Sequence, residues 1–319
     1  MDSKRLLGYT FALSTGKETR NRDELLTLRV ETSLLCNMKC KYCAWNSGYA
    51  LEDEINFDTL KRFIAEGKDM GIQSAVIIGG GEPTIYKHFK ELVEYIVELE
   101  LIPVVITNGL TMDHTLASFL FNKKCSVLLK CDSLCKHTQD FLSGIEGAYE
   151  KIQSGLKDLL DCGFAVSTNN ELRMGISFVV TSKNIDEIPD IWRYCRKNNL
   201  FPNMELLNPI GRSADNLSEL LVDNQKFSDV LRVIREIDNI EFGIHQNDYE
   251  FHSNHCLQHI YSVYLNVLGY VQPCGAIRIQ KYNYNDSSLK EIMNTEYYRR
   301  IRHIEKHLDE SVELTSYEV

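Results

Sequence analysis

The sequence predicts an α/β protein: a partial (βα)6 barrel followed by a small hairpin-plus-helix extension. Three observations predict it. Six strand-like runs alternate with helical patterns from about residue 26 onward. A cysteine-rich and a glycine-rich motif each follow directly on one of those runs, and the pattern changes near residue 244.

The strand-like runs lie at 26–32, 74–78, 102–107, 126–132, 174–181 and 203–208. Between them, FDTLKRFIAEGKDMG, KHFKELVEYIVELE, HTLASFLFNK, AYEKIQSGLKDLLDCG and EIPDIWRYCRKNNL carry apolar residues three and four apart, the spacing that lines one helix face. Asp58 is the expected N-cap of the first helix and Gly163 the expected stop of the fourth. Strand–helix units in series imply parallel pairing through right-handed crossovers, with active sites at the C-terminal strand ends. Beyond the barrel, a helix is expected over KFSDVLRVIREIDNI and a short strand over 240–244. A His-rich segment, a hairpin and a final helix, SLKEIMNTEYYRRIRHI, follow. The expected division is an N-terminal extension over 1–25, the barrel over 26–243 and a C-terminal domain over 244–319.

With 319 residues and 44% apolar content, the chain is long enough for one large domain and a smaller one. A formal charge of −10 disfavours attraction to phosphate backbones, so nucleic acid is a poor partner. No apolar run approaches the roughly 20 residues that span a bilayer, and MDSKRLLGYTFALSTGK lacks a signal-peptide core. The expected compartment is therefore cytoplasmic, with no membrane partner. Ten cysteines in a reducing compartment read as ligands or free thiols rather than disulfides.

Cys36, Cys40 and Cys43 stand within eight residues in LLCNMKCKYCAW, just after the first strand. Structural zinc takes four protein ligands, and no fourth Cys or His lies close by. Zinc or a redox pair therefore fits less well than a 4Fe-4S cubane, which three thiolates hold while leaving one iron open. Soft thiolates delocalise charge, so such a cluster can deliver a single electron. Tyr42 would lie against the cluster or its ligand. Farther along, the strand SAVII ends in Gly79-Gly80-Gly81-Glu82-Pro83-Thr84. Glycine there lets a backbone approach a ligand closely, Glu82 adds a carboxylate and Pro83 stiffens the turn. Glycines at a strand end also form ordinary turns.

Together these residues resemble the radical S-adenosylmethionine (radical SAM) enzymes, whose signature is C-x3-C-x-aromatic-C on the loop after the first strand of a TIM-like barrel. The resemblance spans about residues 26 to 307. It implies that S-adenosyl-L-methionine chelates the open iron through its methionyl amine and carboxylate. It also implies an external one-electron donor such as flavodoxin or ferredoxin, and a 5′-deoxyadenosyl radical that abstracts hydrogen from substrate. Gly79, Gly80, Gly81 and Glu82 match the family's glycine-glycine-glutamate motif, implied to hold the methionyl ammonium.

On the fourth strand, Lys130 and Asp132 alternate with Leu129 and Cys131 and so share one face. If that face is inward, Lys130 pairs with the methionyl carboxylate and Asp132 touches ribose or substrate; the alternative is an internal Lys–Asp pair. Lysine stands where the family usually carries serine. Gly175, Ser177, Thr181, Glu205 and Asn208 are further groups expected at the barrel mouth, with Ser177 among the cofactor-binding residues. Arg212, in a turn that resembles the family's Gly-Arg-Ala, is either a clamp on a planar acid or a surface residue.

Cys256 and Cys274, with a turn at Gly269 between them, resemble the auxiliary-cluster segments called SPASM and Twitch, but no later cysteine follows. Three readings stand: a second iron–sulfur cluster on Cys256, His259 and Cys274; a ligand drawn instead from His245, His252 or His255; or a cluster-free segment that closes the barrel. Cys125, Cys135, Cys162 and Cys195 read as buried small apolar residues. The expected function is hydrogen abstraction from a soluble small-molecule substrate, leading to dehydrogenation, epimerisation or rearrangement. In an epimerase, Cys131 or Cys256 would return the hydrogen. The first 25 residues are too few for a leader-binding domain, which weighs against a peptide substrate. A peptide-modifying maturase remains an alternative, as does a non-catalytic iron–sulfur redox sensor, although a sensor needs no amine pocket.

Overall fold

A computed structural model describes residues 4–166, 171–245, 257–275 and 277–304. In chain order, β1 (Arg5–Leu6) and α1 (Leu13–Asn21) precede the barrel. Then come β2 (Thr27–Val30), α2 (Phe57–Asp69), β3 (Ser74–Ile77), α3 (Phe89–Glu98), β4 (Ile102–Thr107) and α4 (His114–Asn122). They lead to β5 (Ser126–Lys130), α5 (Lys136–Ser143), α6 (Ala148–Asp161), β6 (Glu171–Leu172), β7 (Met174–Val180), α7 (Ile188–Lys197) and β8 (Phe201–Leu206). After short turns α8 (Arg212–Asp215) and α9 (Leu217–Leu220) come α10 (Asn224–Glu236), β9 (Ser262–Leu265), β10 (Val271–Gln272), α11 (Leu289–Met293) and α12 (Glu296–Arg302).

One sheet has the order β10-β9-β2-β3-β4-β5-β7-β8, parallel throughout except between β9 and β10. The predicted six-strand series is therefore present, and the C-terminal hairpin extends the same sheet by pairing β9 with β2. Strand alternation directs Leu28, Val105 and Leu129 into a core with Phe63, Ile64 and Ile152 of the helices. The opposite face gathers Val76, Val104 and Leu128 with Leu6 and Tyr9 of the N-terminal segment. Ser74 and Ser126, at the starts of their strands, donate to the carbonyls of Gly8 (2.6 Å) and Leu7 (2.7 Å). Residues 5–9 thus stopper the N-terminal end of the barrel, leaving the strands' C-terminal ends for chemistry.

Several local expectations are corrected. Asn56, not Asp58, caps α2, accepting from the Thr59 amide at 2.8 Å; Asp58 lies within the first turn and pairs with Lys61. Gly163 does follow the end of α6 with a left-handed φ of 95°. The strand expected over 240–244 is instead π-helical over Ile237–Glu241. Buried Asp238 accounts for it, because its carboxylate is held by Trp192 Nε1 at 2.9 Å and by Arg196 at 2.8 Å. The final helix breaks in two where Thr295 caps α12. Helices α1 and α5 were not predicted.

Candidate functional site at the barrel mouth

Cys36, Cys40 and Cys43 all lie half-buried and unbonded to one another in the loop between β2 and α2. That loop is gripped from three sides. From beneath, the end of α5 accepts from it: Lys39 N to Ser143 O at 3.1 Å and Lys41 N to Leu142 O at 2.9 Å. From β8's side, Arg212 donates to the carbonyls of Cys40 (3.0 Å) and Ser47 (2.7 Å), while Asn216 reaches that of Lys41 at 3.2 Å. Gly211, at φ 58°, sits so close that a β-carbon would meet Ala44 O at 2.4 Å. Arg212 is thus neither a surface residue nor, in this structure, aimed at an acid; its fork is spent on loop carbonyls.

The glycine motif forms the third grip. Gly81 N donates to Ser33 O and Glu82 N to Leu35 O, both at 2.8 Å, and Ser47 donates to Gly80 O. A β-carbon on Gly81 would meet Leu35 O at 2.0 Å, and one on Gly80 would meet Leu34 Cδ2 at 2.5 Å. Gly81 is therefore required by the protein's own backbone and Gly80 is crowded by the Leu34 side chain, whatever they offer a ligand. Glu82 is buried and filled: Oε1 accepts from Thr84 N (3.0 Å), Thr84 Oγ1 (2.6 Å) and Thr107 Oγ1 (2.6 Å), and Oε2 from Asn108 N (2.7 Å). Burial pushes its carboxyl above the ordinary value, and these donors pull it back. Its carboxylate ties the β3 turn to β4.

Lys130 and Asp132 do share a face, with Ser177 and Glu205 beside them. Lys130 Nζ stands 3.9 Å from carboxylate oxygens of both Asp132 and Glu205, and 3.4 Å from Ser177 Oγ. Ser177 donates to Glu205 Oε1 at 2.6 Å, and Asn203 donates to both. Asp132 accepts from Val179 N at 2.8 Å and from the Tyr42 hydroxyl. Burial opposes the Lys130 charge, yet Glu205 and Asp132 hold its ammonium above the ordinary value. Burial raises the Asp132 carboxyl, against Lys130 and Tyr42. The internal-pair alternative is the arrangement present, widened into a network that hooks Tyr42 of the cysteine loop onto β5.

Cys131 faces the other way. It is buried in the helix-side core, contacts Ser133 O at 3.4 Å and Gln153 of α6 at 3.8 Å, and its thiol is pushed up to about 12 by burial. That placement corrects the expectation of a hydrogen-returning thiol at the mouth. Cys256, His252 and His255 lie outside the described residues. His259 is buried and pairs through Nε2 with the Ile304 carbonyl at 2.9 Å, and Cys274 is half-buried. His245 is exposed beside Asn239. Cys125 and Cys195 are buried as expected, whereas Cys135 is exposed and Cys162 half-buried.

The sequence model of the Radical SAM superfamily matches residues 30–195, just over half of the chain. The chain belongs to the radical SAM superfamily. A mycofactocin maturase of Mycolicibacterium smegmatis is 28% identical over 197 residues, covering 61% of this chain and 48% of its own length. An AdoMet-dependent heme synthase of Methanosarcina barkeri is 24% identical over 294 residues, covering 84% of this chain and 82% of its own. The chain spans about half the length of the mycofactocin maturases it matches. In fold it is similar to Streptococcus suis SuiB bound to S-adenosylmethionine, with a TM-score of 0.71 at 17% identity over 88% of this chain and 68% of that one.

Radical SAM enzymes use a 4Fe-4S cluster and S-adenosylmethionine, and the donor set here fits the cluster. Burial pushes the Cys36 thiol up to about 11, and the nearby charges of Glu82 and Cys43 act in the same direction. Bound iron would relieve that penalty, since it takes thiolates. Cys36 Sγ already accepts from the Met38 amide at 3.4 Å, the kind of contact that stabilises a ligated sulfur. Replacing Arg212 tests its grip: with Arg212→Lys one carbonyl loses its donor, and cluster loss to a chelator should speed up about tenfold, measured as iron retained per chain.

Sequence reasoning missed Glu31, Trp45, Tyr264 and Arg278, a group against the same loop in which Glu31 and Tyr264 are buried, Trp45 half-buried and Arg278 exposed. Its only sequence signal is two charges and two aromatics, Glu31 and Arg278 with Trp45 and Tyr264, in otherwise apolar or turn-like stretches.

Proposed function

We propose that this radical SAM enzyme abstracts hydrogen from a soluble small-molecule substrate, with dehydrogenation, epimerisation or rearrangement as the outcome. The observation that carries the substrate class is coverage: the match to AdoMet-dependent heme synthases runs over 84% of this chain and 82% of theirs. That to the maturases is confined to 61% of this chain. Cys36, Cys40 and Cys43 would hold the cluster, which when bound would supply the electron for reductive cleavage of S-adenosylmethionine and so for hydrogen abstraction from substrate. The residues of the chain orient: the glycine turn and Arg212 hold the loop, while the Lys130–Asp132–Glu205 wall offers charge and hydrogen-bonding groups to cofactor or substrate. An external one-electron donor of the flavodoxin or ferredoxin kind completes the reading, as does a cytoplasmic setting; among the described residues no helix is long and apolar enough to cross a membrane.

The second reading, a peptide-modifying maturase, is favoured by the mycofactocin maturase match and by the likeness in fold to SuiB, also solved with the precursor peptide SuiA. The C-terminal segment, SPASM-like or Twitch-like by its Cys256 and Cys274 pattern, would carry a second cluster only with a ligand such as His259 released from its carbonyl. Anaerobic reconstitution with dithionite and S-adenosylmethionine, in the presence of deuterium-labelled cell extract, separates the readings. Deuterium entering 5′-deoxyadenosine from a protease-resistant low-mass fraction supports a small molecule; loss of that label on protease treatment supports a peptide. A reduced cluster that never yields 5′-deoxyadenosine would leave only the redox sensor.

A further inference from the structure

Glu31 directly follows β2, the strand that launches the cysteine loop, and it is only 2% exposed. Two of its donors come from the C-terminal hairpin: Tyr264 OH reaches Oε1 at 2.5 Å and Val267 N reaches Oε2 at 2.9 Å. Another comes from the loop itself, the Trp45 indole N–H on Oε1, two residues past Cys43. Arg278 closes the circuit from the other end. Its guanidinium lies 5.2 Å from the Trp45 ring centroid and donates to Ala44 O at 2.5 Å. Even the glycine turn is shaped around this carboxylate, since a β-carbon on Gly80 would stand 3.3 Å from Glu31 Oε2.

A buried carboxylate is costly, and an apolar side chain of similar size would fill the same space at lower cost. What an apolar residue could not do is add a directional tie at Trp45, beside the cysteines, to the β2–β9 pairing and the Ile55 N–Val267 O bond (2.7 Å) that already join the hairpin to the ends of the loop. The loop contributes Ala44 and Trp45; the hairpin and its following turn contribute Tyr264, Val267 and Arg278. These are separated by more than two hundred positions. Hydrogen bonds to a charged group are short, directional and about twice as strong as neutral ones, so this joint fixes orientation as well as distance.

We propose that Glu31 is a positioning residue through which the C-terminal hairpin sets the placement of the cysteine loop, so that cluster retention depends on Tyr264 and Arg278 as well as on the barrel. The inference rests on the family chemistry alone and is independent of the substrate class.

The chain has two tryptophans, Trp45 and Trp192, so the emission of Trp45 is obtained by subtracting the spectrum of Trp45→Phe protein. In iron-free protein, Glu31→Gln and the milder Tyr264→Phe are expected to shift that emission to longer wavelength and to raise its quenching by acrylamide several-fold. In reconstituted protein, both variants should release iron to a chelator about tenfold faster or more. Adding Arg278→Ala to Tyr264→Phe should accelerate release by less than the product of the single effects, because the two residues hold one joint. A lowered melting temperature with unchanged Trp45 emission and unchanged iron release would overturn the proposal and leave Glu31 a purely structural group. If even unsubstituted protein takes up no iron, the family chemistry fails, while the iron-free emission measurements still decide whether the joint exists.

Discussion

Gly81→Ala is expected to destabilise the protein by about 3 kcal/mol or more and to abolish iron retention with it. The added methyl would stand 2.0 Å from Leu35 O and 2.5 Å from Leu35 C, which are main-chain atoms that no rotamer change can move aside. Relief requires the β3 turn and the cysteine loop to separate. That would break the Gly81–Ser33 and Glu82–Leu35 hydrogen bonds, both 2.8 Å long. Those bonds also set where Cys36 begins, so destabilisation and loss of the cluster should appear together. Gly48→Ala is the control: it lies in the same loop, and a β-carbon there meets nothing within 4 Å. Thermal melting and iron content of the two variants, measured side by side, check the expectation. Gly81→Ala protein with normal melting and normal iron would contradict the packing described.

Single Cys36→Ala, Cys40→Ala and Cys43→Ala variants should each lose 5′-deoxyadenosine formation below detection while the metal-free fold survives. The thiols are half-buried. Truncating such a group costs far less than emptying a core position, about 1 kcal/mol or less. The contrast between an intact melting curve and absent product is what marks a ligand rather than a packing residue. Cys135→Ser, at an exposed thiol after β5, should change neither quantity. Iron counted in the protein lacking all three thiols then addresses the C-terminal segment. A residue of about four irons per chain would locate a second cluster there; none would leave the segment bare.

Much of this was legible in the chain. The two periodicities, two residues for a strand and 3.6 for a helix, placed β2, β3, β4, β5, β7 and β8, though not the short β6, because each strand needs one face for the helices. Local spacing exposed the cysteines, and composition exposed the glycines. What escaped were contacts between residues far apart in sequence whose pairing only topology decides. Helix α5 carries few apolar residues, yet its end supports the cysteine loop and its Gln139 holds the amides of Asp132 and Ser133 at 2.8 and 3.1 Å. Arg212 offered a guanidinium, and nothing nearby in sequence says that its partners are the carbonyls of Cys40 and Ser47. Glu82 carries the opposite lesson. A motif read for what it gives a ligand proves to be occupied by Thr84, Thr107 and Asn108 within the fold.

The pairing of β9 with β2 has a consequence for how the chain must be handled. Strand β2 is flanked on one side by β3 and on the other by β9. Removing everything after α10 would turn β2 into an edge strand and uncover a row of its amides and carbonyls. Bare rows of that kind recruit other chains, so a shortened form would be prone to aggregate. The hairpin is in that sense a built-in guard on the strand from which the cysteine loop departs.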